Sequence, residues 1–257
     1  MTVPGGDVHV HYRLVDAVGE DDYQSAWSIL SAHERARAAR FVFAADRERF
    51  VVTHALLRRT LSSHADVAPE AWAFVDNEFG KPALADPFFH AGLSFNLSHT
   101  HGLVACAVAQ QDVGIDVESI DRTVRALDIA SRFFSPVEIA WLRQGSAEEQ
   151  PVRFLELWTL KEAYVKGVGT GLSHPLDTFG FVFGEAASLR FNAPASSEAS
   201  HWYFAVFAPS DRHRLALAVR CHPSVVPEVH VRGVQPGPAI GPIFSTRQAR
   251  RTSRLTL

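Results

Sequence analysis

Two periodicities divide this chain. Positions 8–14 alternate Val8, Val10, Tyr12 and Leu14 against His9, His11 and Arg13, which predicts a half-buried strand. Positions 93–98 send Leu93, Phe95 and Leu97 one way and Ser94, Asn96 and Ser98 the other. A polar loop through His99, Thr100, His101 and Gly102 then leads to an apolar strand over 103–109. In 113–118, Val113, Ile115 and Val117 share one face, and Gly114, Asp116 and Glu118 share the other. Further strands are predicted over 179–183, 201–208 and 214–220. Helical spacing takes over elsewhere. Ser31 and Glu34 have the form of a capping box opening a short helix to about 41. A longer helix over 46–61 carries Phe50, Leu57 and Leu61 on its apolar side. Ser135, Pro136 and Glu138 start another, ending near 143. After a loop over 145–151, positions 154–166 contain no Gly or Pro. Phe154, Leu157, Trp158, Leu160, Tyr164 and Val165 form one broad apolar arc there.

Three side chains on that last helix stand out. Lys161 falls inside the apolar arc and reads, by itself, as a stem that snorkels its ammonium to water. Glu162 and Lys166 lie one turn apart and read, by themselves, as an exposed ion pair worth about 0.3–0.5 kcal/mol. Composition changes the weight of these readings. Lys and Arg total 25, yet only three are Lys: Lys81, Lys161 and Lys166. Coding bias could leave three lysines by chance, but not their location. Lys differs from Arg as a compact charge that can release a proton when its pKa is lowered.

Two carboxylates on one strand face, Asp116 and Glu118, call for a nearby cation, and hard oxygen donors suit Mg²⁺ with phosphate. The plainer alternative is a wet face with two unrelated acids; Gly114, clearing space for a close approach, favours the first. The arginines at 35, 37, 40, 47, 49, 58 and 59 form either a solvated face or an anion-binding one. Lys81 sits in the turn Phe79-Gly80-Lys81-Pro82. Ser98 beside His99 suggests nucleophilic catalysis only weakly, since neighbours on an extended chain point apart. His9 and His11 have a spacing that could bind metal. With no third ligand nearby in sequence, they read as solvated strand histidines.

The chain has 257 residues and a net charge of −3, which argues against general nucleic-acid binding. Two cysteines make no disulfide framework, so a reducing cytoplasm is expected. The N-terminus lacks the pattern of a signal peptide, and no apolar run approaches a membrane span. From Pro223 onward, prolines at 223, 227, 236, 238 and 242 interrupt any periodicity, and Arg247, Arg250, Arg251 and Arg254 follow. The expected division is 1–111, 112–225 and a mobile, Pro/Gly-rich basic tail over 226–257. No internal repeat is visible in the sequence.

The run Val113-Gly114-Ile115-Asp116-Val117-Glu118, followed some forty residues later by Trp158-Thr159-Leu160-Lys161-Glu162-Ala163-Tyr164-Val165-Lys166, resembles the paired signature of the 4′-phosphopantetheinyl transferases. Phe79-Gly80-Lys81-Pro82, Phe95-Asn96-Leu97-Ser98-His99, Phe133-Phe134-Ser135 with Glu138, and Arg49 agree with it. The size resembles the surfactin-synthetase-activating, single-chain type, and the likeness covers roughly 8–220. It implies an α/β (α+β) fold of two similar lobes related by a pseudo-twofold, with coenzyme A between them. It also implies Mg²⁺-dependent transfer of the phosphopantetheine arm to a serine of an apo acyl or peptidyl carrier protein, releasing 3′,5′-ADP. A monomer that binds neither nucleic acid nor membrane is expected. Carried over by residue, Asp116, Glu118 and Glu162 match Mg²⁺ ligands. Arg37, Arg49, Lys81, Asn96, Ser98, His99, Lys161 and Lys166 match coenzyme-A contacts. Glu162, Lys166 and Asp116 form the catalytic set, with the base either Glu162 or a metal-bound water. Two rival readings remain: a non-enzymatic coenzyme-A binder of the same fold, and a metal-dependent phosphodiesterase.

Overall fold

The computed structural model describes residues 6–15, 18–88, 92–121, 126–171, 174–193, 199–234 and 240–246. The first lobe runs β1 (Asp7–Leu14), α1 (Glu20–Ser28), α2 (Ala32–Ala38), α3 (Ala44–Ser62), β2 (Phe74–Asp76), β3 (Pro82–Leu84), β4 (Ser94–Thr100) and β5 (Leu103–Ala109). The second runs β6 (Val113–Ser119), α4 (Ala126–Phe133), α5 (Pro136–Arg143), α6 (Glu149–Val168), β7 (Gly180–Phe183), β8 (Leu189–Asn192), β9 (Trp202–Ser210) and β10 (His213–Arg220). Two further strands follow, β11 (Glu228–Gly233) and β12 (Phe244–Ser245).

The lobes repeat one plan. β1, β5 and β4 form an antiparallel sheet with β5 in the middle; β6, β10 and β9 form its equivalent with β10 in the middle. The alternation read in the sequence explains the layering. Val8, Val10 and Tyr12 from one sheet meet Val113, Ile115, Val117, Leu215 and Leu217 from the other in a shared core. The outer face of the first sheet packs under α3 through Phe95, Val104 and Cys106. The outer face of the second packs under α6 through Phe204, Val206, Ala216 and Ala218.

The repeat extends to side chains. Ser31 and Glu34 cap α2 reciprocally, and Ser135 and Glu138 do the same for α5. Each capping glutamate then pairs with a cation on the long helix. Glu34 meets Arg58 at 2.7 Å, and Arg58 also donates to the carbonyls of Pro69 and Trp72 at 2.9 Å. Glu138 meets Lys161 at 2.9 Å, and Lys161 donates to the carbonyls of Leu176 and Phe179 at 2.7 and 2.8 Å. The repeat was invisible in the sequence because Arg in one lobe does the work of Lys in the other.

Three expectations need correction. The segment after 225 is not a structureless tail. β11 pairs in parallel with β1 along Asp7–Tyr12, burying Val231, and β12 pairs with β9. Prolines flank these short strands, which hid their alternation; Arg247, Arg250, Arg251 and Arg254 lie outside the described residues. Helix α6 begins at Glu149, inside the expected loop. Pro151 is tolerated because amides in the first turn have no intrahelical acceptor. Finally, Gly114 clears space for α6 and not for a ligand. A Cβ there would sit 1.9 Å from the Ala163 carbonyl oxygen and 2.4 Å from the Gly167 nitrogen.

Candidate active site

Where the lobes meet, β4 lies beside β6 without a backbone ladder, and side chains of β4 take its place. Asn96 Oδ1 accepts from the Ile115 amide at 2.9 Å, and Ser98 Oγ accepts from the Val117 amide at 3.2 Å. Because β4 alternates, Asn96 and Ser98 turn to this seam together. On β6, Gly114 lets α6 press close, and this brings Lys166 onto Asp116. Lys166 Nζ donates to Asp116 Oδ1 at 2.6 Å, Ser98 Oγ at 3.1 Å and the Ile115 carbonyl at 3.3 Å. An ammonium has three protons, and all three are engaged. Ser98 Oγ is likewise saturated, donating to Asp116 Oδ1 at 2.9 Å while accepting twice. It is a positioning hydroxyl and not a nucleophile.

Asp116 is 6% exposed, and its second oxygen, Oδ2, is buried with no hydrogen-bond partner in the protein. An orphaned carboxylate oxygen beside Glu118, on the same strand face, fits a hard cation. Glu162, one turn before Lys166, is half-buried. Burial, then the nearby Asp116 charge, raise its carboxyl above the usual range, against the pull of Lys166. The carboxylates of Asp116, Glu118 and Glu162 do not converge as a closed set; Lys166, not a fourth acid, sits on Asp116 Oδ1. The isolated Glu162–Lys166 ion pair is therefore replaced by a Lys166–Asp116 pair between helix and strand.

A cleft of about 860 Å³ opens here, lined by Ser98, His99, Asp116, Glu118 and Lys166 and also by Arg37, Phe41, Phe50, His54 and Phe74. Arg37 lies over the Phe50 ring, 5.3 Å from its centroid, and the His54 ring, one helical turn on, stacks on Phe50 with centroids 3.9 Å apart. Arg49 pairs with Asp46 one turn away and lies close enough to His99 to act on it electrostatically. Lost solvation, Arg49 and Lys166 together lower the His99 pKa, keeping the imidazole neutral at neutral pH.

Three expected coenzyme-A contacts lie elsewhere. Lys161 is fully buried, its charge engaged by Glu138; it neither snorkels nor reaches the cleft. Asn96 is 5% exposed and engaged at the lobe seam. Lys81 turns its ammonium to the carbonyls of Gly167 at 3.0 Å and Val113 at 3.4 Å, while its neighbours Gly80 and Pro82 line the cleft. The aromatic lining of the cleft went unread. Phe50 looked like ordinary core, and His54 and Phe74 carried no motif; only the i, i+4 spacing of Phe50 and His54 hinted at a shared face.

The family described as the 4′-phosphopantetheinyl transferase superfamily matches residues 112–218, and the one described as 4′-phosphopantetheinyl transferase, N-terminal, matches 18–111. The 4′-phosphopantetheinyl transferase HetI of Nostoc sp. is 37% identical over 174 residues, 67% of this chain and 73% of that one. A 4′-phosphopantetheinyl transferase of Bacillus subtilis is 31% identical over 208 residues, and the transferase Sfp of the same species is 30% identical over 207; each alignment covers 80% of this chain and 88% of the relative.

Proposed function

Because the chain belongs to the 4′-phosphopantetheinyl transferase superfamily, we propose that this cleft transfers the phosphopantetheine arm of coenzyme A to a carrier-protein serine, leaving 3′,5′-ADP. The observation that carries the site assignment is the orphaned Asp116 oxygen beside Glu118 and the Lys166 ammonium, in a cleft also lined by Arg37 and aromatic rings.

Asp116, Glu118 and Glu162 would hold Mg²⁺. When bound, the ion would offset pyrophosphate charge that the chain's own cations cannot offset alone. The rest is assigned to side chains. Arg37 and Arg49 suit the phosphates of the nucleotide end. Phe50, Phe74 and the His54 ring offer faces for its base. Neutral His99 can donate one hydrogen bond to a phosphate oxygen without adding charge. Lys166 holds positive charge at the phosphorus to be attacked. Its three engaged protons mean that it must exchange one acceptor for a phosphate oxygen. Glu162 is the proton acceptor we assign, because it is a half-buried carboxylate one helical turn before Lys166 and close enough to Asp116 to feel its charge. The carrier serine oxygen bonds to phosphorus and gives its proton to Glu162. The bond to the bridging oxygen breaks, and the departing 3′,5′-ADP takes a proton from Lys166.

The reaction as proposed needs one chain, since both walls of the cleft come from it. A cytoplasmic setting agrees with a chain that carries two cysteines, Cys106 and Cys221. Among the described residues no helix is long and apolar enough to cross a membrane. The test is to incubate the protein with coenzyme A, Mg²⁺ and an apo carrier, then weigh the carrier. A gain of one phosphopantetheine supports transfer. Release of 3′,5′-ADP without that gain would mean hydrolysis, and no turnover would mean binding alone. Acyl and peptidyl carriers compared side by side give the preferred class.

A further inference from the structure

The parallel pairing of β11 with β1 assembles a group of ligating side chains remote from the cleft. His9 and His230 are direct cross-strand partners, as are Asp7 and Glu228. Val8, Val10 and Val231 point into the core between the sheets, so the alternate positions Asp7, His9 and His230 share the other face. The His9 and His230 rings stack with centroids 4.8 Å apart. One donor atom from each of Asp7, His9 and His230 lies within 4.8 Å of the other two. His230 Nε2 stands 3.8 Å from Asp7 Oδ2 and 3.7 Å from Glu228 Oε1. His64, just beyond α3, covers the group with its ring centroid 4.3 Å from that of His9, and its Nε2 is buried with no hydrogen-bond partner.

We propose that Asp7, His9 and His230 form a binding site for a divalent transition-metal ion such as Zn²⁺, with Glu228 or His64 able to complete the shell. Two imidazoles and a carboxylate are a donor set that suits Zn²⁺, Co²⁺ or Ni²⁺ and not Mg²⁺. Tetrahedral zinc with bonds of about 2.0–2.1 Å needs donors roughly 3.3 Å apart, so side-chain rotations of about 1 Å close the group. Asp7 and Glu228 supply two negative charges; Arg232, opposite His11 and one further step along the pairing, opposes them. The site joins the first strand, β1, to β11 near the other end of the chain. An ion bound there would clamp β11 onto β1 and would favour the folded state, which alone holds the ligands together.

The test uses the full chain, freed of metal by chelation and dialysis, with excess Mg²⁺ present to occupy the acidic cleft. Zn²⁺ is titrated by calorimetry, and Co²⁺ is followed by its visible spectrum. The expected result is one tight Zn²⁺ per chain, a tetrahedral Co²⁺ absorption, and a melting temperature that rises with Zn²⁺. His230→Gln and His9→Gln should each weaken Zn²⁺ by about 100-fold or more, beyond the 10–100-fold typical of an outer-shell change. Asp116→Asn should leave it unchanged. Binding that survives both histidine variants, or that disappears in Asp116→Asn, would put the ion in the cleft and overturn the proposal. So would the absence of any Zn²⁺ effect on the melting temperature of the wild-type chain. Transfer activity need not change, so failure here is separate from failure of the transferase assignment.

Discussion

Replacing Lys161 with Met separates a structural lysine from a substrate-binding one. The ammonium has no exposure and three partners: Glu138 at 2.9 Å and the carbonyls of Leu176 and Phe179 at 2.7 and 2.8 Å. It also lies over the rings of Phe134 and Phe179, at 5.4 and 4.5 Å. Removing it leaves the Glu138 carboxylate, itself fully buried, with the Ser135 amide and hydroxyl and the Phe181 amide as its donors among the described residues. Breaking a buried pair from one side costs about 3–5 kcal/mol, and the two stranded carbonyls place this case at the upper end. For a chain of this size, at about 2–4 °C per kcal/mol, the melting temperature should fall by about 10–20 °C. Adding Glu138→Gln removes the stranded charge and should recover at least half of the loss. Coenzyme-A affinity of the folded protein should stay within about threefold of wild type. Calorimetric melting and equilibrium binding on the single and double variants decide it. A loss under about 1 kcal/mol, together with affinity weakened tenfold or more, would refute the argument and return Lys161 to the cleft.

Other outcomes follow from the same geometry. Asp116→Asn should keep the fold, since the amide can still meet Ser98, yet reduce transfer below detection; chelation of Mg²⁺ should do the same to wild type, and turnover in EDTA would end the metal assignment. Lys166→Arg and Lys166→Ala should both lose about 10²–10⁴-fold in kcat, because a guanidinium neither donates a proton near neutral pH nor reproduces the three-acceptor arrangement; near-normal kcat in the Arg variant with normal coenzyme-A affinity would leave Lys166 as a charge only. Truncation after 225 should lower the melting point, with the buried Val231 alone contributing about 1.5–3 kcal/mol, and an unchanged melt would mean that β11 and β12 do not hold in solution. Gly114→Ala should be severe for both stability and transfer, since the added methyl pushes α6, and with it Glu162 and Lys166, off Asp116; a soluble, active variant would contradict the close packing.

What could be read from the sequence follows from how local each signal was. Strands β4, β5, β6, β9 and β10 and helices α3 and α5 announced themselves within a residue or two, because one periodicity or one capping pattern fixed each. Asp116 and Glu118 stood out by residue type and strand alternation, whereas Glu162 and Lys166 read by spacing alone as an exposed pair and gained a chemical role only through the resemblance. Lys161 was misplaced, since an ammonium inside an apolar arc looks the same on paper whether it reaches water or a buried carboxylate 23 positions earlier. The start of α6 was missed because Pro151 usually marks a break, and β11 because a short strand between prolines has no pattern to count. His9 found its partner in His230 only through that strand, so the histidine cluster was beyond any local reading.

The repeated plan also explains why the chain offers one acidic centre and not two. Aligned on their inward-facing residues, β1 places His11 and Arg13 where β6 places Asp116 and Glu118. Aligned on the Arg58 and Lys161 pairs, α3 places Arg59 where α6 places Glu162. The equivalent position in the first lobe is a hollow of about 230 Å³ lined by His11, Arg13, Arg59 and Ser63, so two guanidiniums and an imidazole stand where the acids would be. Such a hollow repels a metal cation. The edges differ as well. The cleft exists because β4 and β6 meet without a ladder, leaving Ser98 and Asp116 to face it. At the equivalent seam, β1 is paired by β11 and β9 by β12, and Val234, just past β11, lines the hollow. The C-terminal strands thus occupy the edges that a second cleft would need, while the charge reversal removes its metal. Both changes act in one direction, and they tie the catalytic asymmetry of the chain to the segment whose pattern was hardest to see.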